Sequence, residues 1–174
     1  MRAEARGPKA FESRLDDELV QLGDDLKELD QRAREQGNSD AMDLVALARI
    51  AAGRAERASA MGRPRVALQA VLAAQRFLAN AETMLSKSSS QDLDRNEVAQ
   101  KLESLDASVQ EVSQTVSASG NEVAQELLRQ VTEIRDSARE AYSRGRLRVA
   151  NESVAVAMEM LRTVVKINTS ENKP

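Results

Sequence analysis

The sequence predicts an all-α protein built from two copies of a three-helix unit, and three observations carry that prediction. The first is a repeat. Gly62-Arg63-Pro64-Arg65-Val66-Ala67 recurs as Gly145-Arg146-Leu147-Arg148-Val149-Ala150, an offset of 83 residues that holds without a gap on either side. At that offset Leu19 falls on Leu102, Leu22 on Leu105, Gly37-Asn38 on Gly120-Asn121, Leu44 on Leu127, Ala55 on Ala138, Val71 on Val154 and Leu78 on Leu161. Chance matches would not fall at the turns and the apolar positions together, and so long a period marks a small domain or half-domain copied once rather than a solenoid unit. The second observation is composition: Gly and Pro are scarce while Ala, Leu, Glu and Arg, all strong helix formers, abound. The third is period, because apolar residues recur at gaps of three and four, the spacing of one face of a helix.

Taken in order, residues 1–9 are charged and carry Gly7-Pro8, so a disordered lead is expected there. The first unit is expected over 10–86. From Phe11 the apolar residues fall at 11, 15, 19, 22, 26 and 29, a heptad a/d seam of coiled-coil type. Its acidic flank (Glu12, Asp16, Asp17, Glu18) suits the positive end of a helix dipole. Gly37 supplies the left-handed stop, and Asn38 or Ser39 caps the next helix. That second helix carries Ala41, Leu44, Ala48, Ala51, Ala55 and Ala58 along one face, a row of small residues that admits a close neighbour. Gly62 stops it, and Pro64 suits the first position of a third helix, where its missing N–H is not needed. The third helix, from Pro64 to about Leu85, is apolar over most of its circumference from Val66 onward and so is expected to be buried on several sides.

A Ser-rich linker at 87–92 separates the units, and the second is expected over 93–168 with a disordered tail at 169–174. Val98, Leu102, Leu105, Val109, Val112 and Val116 repeat the seam, Gly120-Asn121 the first turn, and Leu147 to Ile167 the broad third helix. Short turns make sequential helices antiparallel. The surplus apolar surface on the two third helices points to a shared interior, hence a six-helix bundle-like body. Two tandem three-helix bundles would instead leave that surface to a dimer interface.

Composition then bounds function. Aromatics are confined to Phe11, Phe77 and Tyr142, so the core falls to Ala, Leu, Val and Met, with Met42, Met61, Met84, Met158 and Met160 at core-like positions. A net charge of −3 invites neither nucleic acid nor an anionic membrane surface. No run approaches the roughly 18 apolar residues of a membrane span. The start Met1-Arg-Ala-Glu-Ala-Arg has no apolar signal core, though Met1 could equally follow a removed signal, so cytoplasmic and exported placements stay open. The chain has no His and no Cys, which removes the commonest general base and metal ligands. No glycine-rich phosphate loop or calcium loop stands in the sequence, so no enzyme, metal or cofactor is expected.

The candidate binding residues are the arginine turns with their neighbour: Arg63, Arg65, Arg144, Arg146, Arg148 and Tyr142. Arginine at a helix start faces the positive dipole end and offers no capping oxygen, so local stability does not select it. Two readings follow. The planar guanidinium groups form a clamp for a carboxylate or phosphate, or they pair with the acidic starts of the first helices (Glu12, Asp16 and Asp17; Asp92, Asp94 and Glu97 in the copy). A nucleic-acid surface would interleave aromatics with the basic groups, and only Tyr142 is present. Gly145-x-Leu147-x-x-Ala150-x-x-x-Val154-x-x-Ala157 also resembles the small/large pattern of a tetratricopeptide helical hairpin. The resemblance implies close helix crossing at Ala, but the helices are longer, and neither the repeat's period of about 34 residues nor its terminal proline is present.

The expected function is a non-enzymatic helical interaction or scaffold module acting through protein–protein contacts and self-associating. An anion-binding module using the arginine turns for a phosphorylated ligand, lipid headgroup or nucleic acid is the second reading. An extracytoplasmic sensor-like helical domain is the third.

Overall fold

The computed structural model describes residues 8–86 and 93–170, with side chains from Ser13 onward in the first helix. Expectations for residues 1–7, the linker at 87–92 and residues 171–174 lie outside the described residues. Six helices follow one another: α1 Pro8–Glu35, α2 Ser39–Ala60, α3 Pro64–Ser86, α4 Arg95–Ser119, α5 Glu122–Ser143 and α6 Leu147–Ser170. Among the described residues there is no strand.

The turns work as their residues dictate. Gly37, Gly62, Gly120 and Gly145 hold φ between +63° and +75°, the region where a Cβ is strained. Behind three of them the next amide closes back onto the helix: Asn38 N donates to the Ala33 carbonyl at 3.0 Å, and Arg63 N to Ala58 and Arg146 N to Ala141 at 2.9 Å each. The Asn38 side-chain oxygen then accepts from Ala41 N at 3.0 Å, and that of Asn121 from Ala124 N at 2.9 Å. Asp94 caps α4 through Asn96 N at 2.8 Å. Pro64 opens α3.

The helix ends correct three expectations. Pro8 and Lys9 are already helical, so the acidic residues from Asp16 lie beyond the first turn and the dipole gives no reason for them. Thr169 and Ser170 continue α6 instead of starting a tail. Asn168 is buried, because its side-chain oxygen accepts from the Ser119 hydroxyl at 2.5 Å and ties the end of α6 to the end of α4.

Side-chain size sets the packing. α2 buries Ala41, Ala48, Ala51, Ala55 and Ala58, and α3 buries Ala67, Ala70, Ala74 and Ala81; among the described residues these two helices pack against each other most extensively. α1 and α4 bring the larger Leu and Val seams (Leu15, Leu22, Leu26 and Leu29; Val98, Leu102, Leu105 and Val109) and stand further off. Among the described residues α1 packs on α2 and α3 alone, and α4 on α5 and α6 alone. α3, by contrast, also packs on α5 and α6, and α6 also packs on α2. The third helices therefore do share an interior, and the two units close into one six-helix body. The breadth of their apolar surface is used there: α3 buries both a Val66-Ala70-Ala73-Phe77 stripe and an Ala67-Val71-Ala74-Leu78-Ala81 stripe. The methionines depart from expectation, since only Met160 is buried; Met42 and Met61 are exposed, and Met84 and Met158 lie half-buried. An Ala-lined interior has little room for long flexible side chains.

Candidate functional site

Joining the units creates two junctions, each made by a Gly-Arg turn of one unit and a second helix of the other. At the first, the α5–α6 turn meets the start of α2. Arg146, half-buried, reaches the Asp40 carboxylate at 3.4 Å and pairs with Asp43. This corrects the expected pairing with the acidic start of a first helix. The shared interior brings the first turn of α2 within reach of that arginine, and Asp40 is favourably placed there at a helix N-terminus.

The other turn residues spread out. Arg144 pairs with Glu140 one turn back on the same exposed face, at 2.5 Å. Arg65 and Arg148 have interactions of their own. The Tyr142 ring lies 4.8 Å below the Arg95 guanidinium, a cation–π contact that explains a half-buried aromatic at this edge. Arg148 lines a recess between α3 and α6 and Arg63 one beside α5, so these two do not meet at one site.

At the second junction the α2–α3 turn meets α5. Arg63 lines a pocket of about 140 Å³ with Arg54, Arg57 and Met61 from its own unit and Glu126, Arg129, Gln130 and Glu133 from α5. Glu133 pairs with Arg54 across the junction, and Glu126 with Arg129 along α5. Burial lowers the pKa of Arg54; Glu133 opposes that shift while Arg57 and Arg129 add to it by repulsion. The hydrogen bond to Glu126 raises the pKa of Arg129. Arg57 and Arg63 are exposed, with no carboxylate partner among the described residues. Arg129, Gln130, Glu126 and Glu133 were missed from the sequence, because nothing local on α5 shows that a turn from the other unit will land on it.

A third feature lies along each unit's flank, where the large side chains of α1 and α4 leave a groove. The α1/α3 groove, about 280 Å³, is lined by Asp25, Glu28, Arg32, Gln75 and Glu82 around Leu29 and Leu78. The α4/α6 groove, about 370 Å³, is lined by Val112, Met158, Leu161 and Val165, with Ser108, Glu111, Thr115, Arg162, Asn168 and Thr169 around them. Their linings stand 83 residues apart position for position: Leu29 and Val112, Gln75 and Met158, Leu78 and Leu161, Glu82 and Val165. The positions of the two linings correspond and their polarity differs.

Among the described residues no three acidic side chains converge as metal ligands, and no helix is long and apolar enough to cross a membrane. Comparison with protein-family models, curated proteins and solved structures gives no match.

Proposed function

We propose that this protein is a non-enzymatic helical interaction module whose α4/α6 groove receives the apolar face of a partner's amphipathic helix. The observation that carries the reading is the contrast between the two grooves. The α1/α3 groove shows that this fold tolerates Gln75 and Glu82 at the rim, so Met158 and Val165 at the corresponding positions are not required for packing. Val165 is 41% exposed, an apolar side chain left in water at the lip of an apolar trough. From Met158 to Thr169 the trough runs about 16 Å at 1.5 Å per residue. That length matches a segment of about three turns presenting i, i+3/i+4 and i+7 anchors.

Self-association is the narrower form of this reading. Its support is weaker than the sequence implied, because most of the apolar residues on α1, α4, α3 and α6 are covered within one chain, Leu72 and Val165 being exposed on the two third helices. A displayed library of helical peptides, panned on wild type and on Val165→Glu, tests the proposal. Enrichment of peptides with apolar residues at helical spacing, lost on the variant, is expected; equal enrichment on both would overturn it. Size-exclusion with light scattering on the same two proteins shows whether a second copy is the occupant.

A further inference from the structure

We propose that the pocket between the α2–α3 turn and α5 binds a phosphate dianion, either free or as the head of a small phosphate monoester. The two junctions make the case by comparison. Each presents a turn arginine to the opposite unit's second helix. At the first, Arg146 meets Asp40 and Asp43, and the charges close on themselves. At the second, Arg63 meets a wall already holding Arg54, Arg57 and Arg129, with only Glu126 and Glu133 to offset them. The position corresponding to Asp40 is Val123, and the carboxylate corresponding to Asp43, Glu126, is taken by Arg129. Four guanidinium groups beside two carboxylates leave an excess of positive charge at this recess, where Arg54 is largely buried and the other three arginines reach solvent. An anion carrying two charges would balance the set.

A second observation points the same way. Gln130 lines this pocket and is only 4% exposed, yet its amide makes no hydrogen bond among the described residues. Its amide atoms are not closed off from solvent, so they stand open to a ligand in the recess. The amide lines the same recess as the guanidinium groups of Arg57 and Arg63 and can donate beside them. The carboxylates have a role in this arrangement: Glu133 and Glu126 hold Arg54 and Arg129 in place, leaving Arg57, Arg63 and Gln130 to the ligand. Planar five-donor guanidinium groups match the tetrahedral oxygens of phosphate in paired hydrogen bonds. The recess, at about 140 Å³, takes one such group and little more.

None of these residues lines the α4/α6 groove, so this proposal and the groove reading can fail separately. Two-dimensional NMR titration of the full chain with inorganic phosphate, against chloride at matched ionic strength, is the test. Saturable shifts of the amides around Gln130 and Arg63 are expected, and Arg57→Gln/Arg63→Gln should weaken binding by about tenfold or more, as loss of charged hydrogen bonds does. Both arginines are exposed, so the variant is expected to keep its helicity. Gln130→Leu, with every charge in place, should weaken binding several-fold and separates this pocket from diffuse attraction. Glycerol phosphate in a parallel titration distinguishes the sources: tighter binding assigns the site to an ester, equal or weaker binding to free phosphate. Phosphate shifts that chloride reproduces, or that both variants retain in full, would overturn the proposal.

Discussion

Ser153 is the residue at which this core is least well satisfied. It is fully buried in α6, and its hydroxyl has no hydrogen-bond partner among the described residues. The Asp106 Oδ1 atom is also buried without a hydrogen bond, but it lies 3.6 Å from Arg135 and the other oxygen of the same carboxylate pairs with Arg139, so its charge is balanced. Ser153 has no such compensation. A buried hydroxyl left unpaired costs about 1–3 kcal/mol in desolvation. The corresponding position in the first unit is Ala70, equally buried, which shows that a methyl group fits that environment. Ser153→Ala should therefore stabilise the protein by about 1 kcal/mol and raise the thermal midpoint by about 2–4 °C. Thermal unfolding followed by circular dichroism measures this, and a lower midpoint would mean that the hydroxyl finds a partner after all.

Helix pairing turns on alanine. The close approach of α2 and α3 leaves no space at Ala55, which is fully buried, and a side chain two bonds longer must push the helices apart. Ala55→Leu is expected to destabilise by about 1–3 kcal/mol, while Ala46→Leu on the exposed face of the same helix should stay within about 0.5 kcal/mol. Chemical denaturation of the two variants side by side gives the answer, and equal effects would mean that α2 and α3 are not packed through their small residues. This level was the most legible in the sequence. A glycine needed at positive φ, an asparagine that caps and a proline without an N–H act locally, so Gly37, Asn38, Gly62, Pro64, Gly120 and Asn121 mark turns before any contact is known. The candidate site was less legible for the opposite reason. Arg63 and Arg146 carry the same local signature, and only the packing of the two units shows that one meets Asp40 and Asp43 while the other meets three further arginines. Met42 and Met61 misled in the same way: a period names a face, but it does not say whether another helix covers it.

For the whole molecule the question is whether the two units stand or fall together. The ion pairs between them (Arg54 with Glu133, Arg76 with Glu159, Arg146 with Asp43) are partly exposed and contribute about 0–1 kcal/mol each, too little to couple two domains. Apolar contact decides it. If the first unit unfolded alone, α6 and α5 would lose the cover that α3 provides, and broad apolar surface would enter water at about 25 cal/mol per Å². Tyr142, the single tyrosine, sits in the second unit and reports on it by fluorescence, while circular dichroism reports on all six helices. Leu22 in α1 is 1% exposed and belongs to the first unit, and among the described residues α1 packs on no helix of the second. Leu22→Ala should cost about 2–5 kcal/mol. If the body is one cooperative unit, that loss moves the Tyr142 transition as far as the dichroism transition, and the two traces coincide in wild type and variant alike. A Tyr142 midpoint that stays where it was while the helical signal shifts would mean that the interior shared by α3 and α6 is too weak to bind the halves, and that each unit folds for itself.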